Sequence, residues 1–125
     1  MILAIAAATV VAFVISAVYY SVALSAGPVD ASSEVPAGRP SPTQAAIELV
    51  RSAAIASLVL WLVRSAAWES LGEGALLGLA LWTMPVVLLT GSVLHEGTPV
   101  RVAAIHAGDW LIKLIAVGAI VGVLA

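Results

Sequence analysis

Residues 2–26 carry no charged side chain, and neither do residues 74–94. Runs of that length constrain the fold more than any other feature of the chain. A bilayer core about 30 Å thick takes roughly 20 apolar helical residues per crossing. Inside it every backbone N–H and C=O must be bonded within its own segment, so such a run forms an α-helix. A soluble bundle would need a polar outer face on each helix, and these two runs offer none.

Composition agrees. Apolar residues make up 62% of the chain and charged residues 10%, against about 45–50% and about 25% in soluble domains. The 125 residues have room for four crossings and one modest loop, with no space for a soluble domain. The expected protein is a single transmembrane domain over residues 1–125, an all-α bundle of four transmembrane helices in the cell membrane. The net charge of -2 contains no basic run, so no nucleic-acid partner is expected. Cysteine is absent, which removes disulfides, Cys-ligated zinc and iron–sulfur clusters. The first run has no Lys or Arg before it and outlasts the 7–15 residues of a signal h-region, so it reads as a retained helix.

The helices are expected at about 2–26, 43–67, 73–95 and 100–124. Gly27-Pro28 stops the first, and the Pro- and Ser-rich stretch 27–42, with Asp30, Glu34 and Arg39, reads as an exposed loop because it cannot bury a core. Ser41 or Thr43 can cap the second helix, which carries Glu48, Arg51 and Arg64. Pro85 predicts a kink in the third near Thr83-Met84-Pro85. Four crossings put both termini on one side of the membrane. Arg39 and Arg101 lie in the loops of the other side, which the positive-inside rule places in the cytoplasm.

Close helix contacts in lipid favour small residues. Gly74 and Gly78 open the third helix, while Gly118 and Gly122 close the fourth. In an antiparallel pair both motifs fall at the same membrane face, which predicts close packing of these two helices.

The charges inside the spans form a second pattern. His106, Asp109 and Lys113 follow the spacing that lines up one helix face. At a rise of about 1.5 Å per residue, Asp109 and Lys113 lie roughly 12 and 18 Å beyond Arg101, while Glu48 and Arg51 lie roughly 7 and 12 Å beyond Thr43. Both helices enter from the same face. Tyr19 and Tyr20 arrive there from the first helix, and the last turn adds His95 and Glu96. An intramembrane charge costs about 2.5–3.5 kcal/mol and normally finds a partner. Asp109 and Glu48 are therefore expected to pair with Arg51 or Lys113 in a near-neutral network, with His106 as a neutral donor or acceptor.

Such a network has three readings: ion pairs that fix helix register, a polar cavity open to one face for a proton, ion or small polar ligand, or a surface by which an accessory or assembly subunit docks on a larger membrane complex. Partners beyond the lipid bilayer are then a second copy of the chain or that complex. His95-Glu96 lacks the H-E-x-x-H pattern because Pro99 occupies the second histidine's position. No metal, cofactor or catalytic residue is expected, and an enzyme is the less favoured outcome. Tyr19, Tyr20, Trp61, Trp68 and Trp110 read as interfacial aromatics, and Trp82 as a packing residue.

Tyr19-Tyr20, the stretch Gly74-Ala75-Leu76-Leu77-Gly78-Leu79-Ala80-Leu81-Trp82, then Glu96-Gly97-Thr98-Pro99 and Ile105-His106-Ala107-Gly108-Asp109-Trp110-Leu111 follow one another in an order that resembles the DUF1761 family of small four-helix bacterial membrane proteins. The resemblance covers nearly the whole chain and implies the four-helix fold with no assigned activity. The family often shows Trp-Tyr-Ser-Pro where this chain has Tyr19-Tyr20-Ser21-Val22, and a pattern like Asn-Ala-Gly-Tyr at His106-Ala107-Gly108-Asp109. The resemblance therefore lends Asp109 no role.

Overall fold

The computed structural model describes residues 1–25 and 41–125; the expected loop with Asp30, Glu34 and Arg39 lies outside them. The elements are α1 (Ile2–Ser25), α2 (Pro42–Ala66), α3 (Leu71–Leu81), α4 (Thr83–His95) and α5 (Val100–Leu124). With α3 and α4 counted as one span, four helical segments are long and apolar enough to cross a membrane. The protein is an all-α bundle of four transmembrane helices with both termini on one side.

Local chemistry sets the boundaries. Ser41 caps α2 by accepting a hydrogen bond from the Gln44 N–H at 3.2 Å, while Gln44 Oε1 accepts from the Ser41 N–H at 2.8 Å. This reciprocal box satisfies two orphan donors and places Pro42 in the first turn, where its missing N–H does no harm. Ser70 caps α3 by accepting from the Glu73 N–H at 3.3 Å, and its hydroxyl donates to Glu73 Oε2 at 2.7 Å.

The third span breaks at Trp82, one residue before the expected Thr83-Met84-Pro85. Pro85 is the cause: it offers no N–H to the Leu81 carbonyl four residues earlier, and its ring crowds that oxygen. The break therefore appears upstream of the proline itself. Trp82 then anchors the joint, its indole N–H donating to the Ala107 carbonyl of α5 at 2.8 Å.

Among the described residues α5 packs against every other helix, whereas α4 touches only α5 and α3. At the face holding the termini, α3 and α5 meet backbone to backbone. A Cβ added at Gly118 would fall on the Gly74 carbonyl, one at Gly78 on the Leu114 carbonyl, and one at Gly122 on the Ser70 carbonyl. On the other side of α5, Ala4, Ala8 and Ala12 form a buried ladder that packs with Ala56, Val59, Leu60, Val63, Val117 and Val121. This half of the bundle is apolar and closely packed. Arg64, whose Nη1 lies 3.3 Å from Met1 Sδ, marks its rim.

Candidate functional site

The other half is built around Lys113. Thirteen residues after the start of α5, it lies roughly 20 Å along a helix of roughly 37 Å, which puts its Cα near mid-membrane. Its stem leans toward the N-terminus of α5, as long helical side chains do, and carries the ammonium about a turn back toward the charged residues. There Nζ lies 2.7 Å from Glu48 Oε1 on α2 and 3.2 Å from Asp109 Oδ2 on its own helix. Asp109 Oδ1 accepts from the Ser16 hydroxyl of α1 at 2.8 Å. Glu48 Oε2 receives Arg51 Nη1 at 3.1 Å.

Three helices thus share one connected network of two cations and two carboxylates. The formal charges cancel, which keeps a group this deep tolerable in hydrocarbon. Burial deepens along it: side-chain exposure is 54% at Arg51 and 22% at Glu48, against 3% at Lys113 and 4% at Asp109. The arrangement is open at Arg51 and closed at Asp109 and Ser16. Trp110, expected at the interface, spans the two cations, with its ring 5.2 Å from Lys113 Nζ and 5.7 Å from Arg51 Cζ. Those distances are in the cation–π range.

A second polar contact flanks the first. The Tyr20 hydroxyl and His106 Nδ1 are 2.6 Å apart, and Tyr19 stands edge-on to Tyr20 at 5.7 Å. The Tyr19 hydroxyl occupies the space a Cβ at Gly108 would need, so that glycine lets α1 approach α5 beside Asp109.

Of the residues expected in the polar half, the structure joins Glu48, Arg51, Asp109 and Lys113 directly and sets Tyr19, Tyr20 and His106 beside them. His95 and Glu96 do not join. Both are exposed at the α4–α5 turn, because α4 stands away from α1 and α2 and the turn lies at the rim, where water solvates them. Ser16, not singled out by sequence, and Trp110, read there only as an interfacial aromatic, both lie against the network. Ser16 was detectable as the polar last rung of the four-residue ladder Ala4, Ala8, Ala12. Ser52, one turn beyond Glu48 on α2, was likewise passed over; its buried hydroxyl has no hydrogen-bond partner among the described residues.

No group of three or more His, Cys, Asp or Glu side chains able to hold a metal occurs among the described residues. One surface groove runs between α4 and α5 past Val86, Thr90 and Ala103, and another between α1 and α2 past Ile5, Trp61 and Arg64. Neither is lined by the network. Its carboxylates, ammonium and guanidinium and the Ser16 hydroxyl are bonded to one another.

Fold and network together define a four-span helical membrane protein with a charge-balanced polar core in one membrane half. Residues 3–122 match the family described as Protein of unknown function (DUF1761). The chain belongs to that family. No curated protein and no solved structure matches it.

Proposed function

We propose that this protein handles a proton or small cation at a buried charged site reached from one membrane face, in the cell membrane. The observation that carries this reading is the bridging of Glu48 and Asp109 by a Lys113 ammonium buried near mid-membrane. Intramembrane ionisable groups that face a bundle interior and pair with one another commonly mark proton or ion pathways. The exposure gradient from Arg51 inward supplies a direction of access. The closely packed apolar half beyond Ser16 favours binding and release at one face over free conduction.

Infrared pH titration of the reconstituted protein tests the reading. The expected result is a carboxyl band that responds to pH while the fold stays intact and is lost or displaced in Asp109→Asn. A network whose bands ignore pH throughout that range would reduce it to a device for helix register.

A further inference from the structure

Arg64 stands at the groove between α1 and α2, and its charge is not answered within the described protein. Arg51 and Lys113 are balanced by Glu48 and Asp109. Arg64 forms no ion pair with any described carboxylate, although Glu69 and Glu73 come next in the chain; Glu73 takes the Ser70 hydroxyl instead. Its one hydrogen bond among the described residues goes to Met1 Sδ at 3.3 Å. A thioether is a weak, uncharged acceptor, so it engages one N–H of the guanidinium fork and does nothing for the charge.

Depth orders the groove from polar to apolar. By helical rise, Arg64 lies roughly 3 Å from the end of α2, Trp61 roughly 8 Å and Ser57 roughly 14 Å. Spacings of four and three residues put them on one stripe. Ala56, Val59 and Val63 take the buried face of α2, while Trp61 is 64% exposed, so the stripe is turned to lipid. Ile5 of α1 and Leu60 make an apolar floor. Near the mouth, the Trp61 indole N–H and the Ser65 hydroxyl have no partner among the described residues. The groove has a volume of about 450 Å³, inside the range of roughly 300–1,000 Å³ for ligand sites.

We infer that this groove binds an anionic phospholipid of the phosphatidylglycerol kind, from the leaflet at the face bearing the termini. The lipid phosphate accepts charge-assisted hydrogen bonds from Arg64, whose planar fork suits two phosphate oxygens. Trp61 sits at the interfacial depth that amphipathic rings favour, where its N–H meets the glycerol esters, and one acyl chain follows Ile5 and Leu60. Charge complementarity selects the headgroup. A singly negative lipid neutralises Arg64, whereas a zwitterionic lipid brings its own cation and leaves the sum unchanged. The site lies in the apolar half of the bundle and is independent of the charge network.

Native mass spectrometry of the full chain in detergent, offered equal amounts of dioleoylphosphatidylglycerol and dioleoylphosphatidylcholine, tests the site. A single phosphatidylglycerol should be retained per chain, in preference to phosphatidylcholine by roughly tenfold, the worth of a hydrogen bond to a charged group. Arg64→Gln should lose that preference, and Arg101→Gln, at the other face, should keep it. Ser57→Trp, which fills the groove and leaves the guanidinium in place, should also release the lipid. Equal retention of the two lipids by the wild-type chain would overturn the inference without any variant having to fold. So would a preference that survives Arg64→Gln, or retention undiminished in Ser57→Trp. Excess inorganic phosphate should not displace the lipid, because it has no chain to lay along Ile5 and Leu60; displacement would overturn a phospholipid as the occupant.

Discussion

The two halves of the bundle are held by different forces, although α5 runs through both. Toward the termini, Gly118 and Gly122 of α5 lie against Gly74 and Ser70 with nothing between the backbones, and Val117 and Val121 join the alanine ladder of α1. Dispersion and close approach hold that half, as is usual between helices in lipid. Toward the other face, Asp109 and Lys113 of the same helix are fastened by hydrogen bonds to α1 and α2. The first half is rigid because no side chain intervenes. The second is held by ion pairs and by the Ser16 hydrogen bond. A helix can therefore seal a membrane over half its length and carry ionisable chemistry over the rest.

The sharpest way to break this contrast is to unpair the charges. Asp109→Ala strands the Lys113 ammonium with one carboxylate and removes the acceptor of Ser16; loss of one member of a buried pair costs about 3–5 kcal/mol. Reversible unfolding in bicelles should show a drop of that size, and a drop below about 1 kcal/mol, the worth of an exposed pair, would mean the network does not hold the helices.

Gly118→Ala probes the opposite half. Its methyl group would meet the Gly74 carbonyl, so α3 and α5 must separate, at about 1–3 kcal/mol for an overpacked contact. Gly91→Ala is its control, since a Cβ there meets nothing within 4 Å. That change should stabilise by about 0.5–1 kcal/mol through helix propensity alone. Equal effects at the two glycines in the same unfolding assay would contradict the backbone-to-backbone seal.

Tyr20→Phe removes the hydroxyl from His106 and should cost about 0.6 kcal/mol, typical of a hydrogen bond between transmembrane helices. Arg51→Gln should have the smallest effect on stability, about 0–1 kcal/mol, because that cation is half exposed. Thermal melts of the two variants side by side, both falling well short of Asp109→Ala, would place the network's weight at its buried end.

The four spans were legible in the sequence because charge-free runs leave the chain no other form, and Pro85 announced the break at Trp82 to within a few residues. The Asp109–Lys113 spacing and the level of Asp109 with Arg51 followed from helical rise alone. Azimuth did not. The turn's place at the same face put His95 and Glu96 with the charges, yet which way a helix faces is decided by packing, and α4 stands apart from α1 and α2. Ser16 was passed over for a related reason. Thr9, Ser25 and Ser57 bond carbonyls four residues back in their own helices, so a serine in an apolar run says little until a neighbour's register is known. Trp110 looked interfacial because sequence places a tryptophan at a depth but does not say which charges it covers.

The division of labour between the halves is most directly tested through the single lysine. With ¹⁵N-lysine protein held in one orientation in liposomes, pH is changed on one side at a time while the Lys113 Nζ resonance is followed. A response is expected when pH changes at the face bearing the α4–α5 turn and none when it changes at the face bearing the termini. A resonance that responds equally from both faces, or from neither, would contradict it.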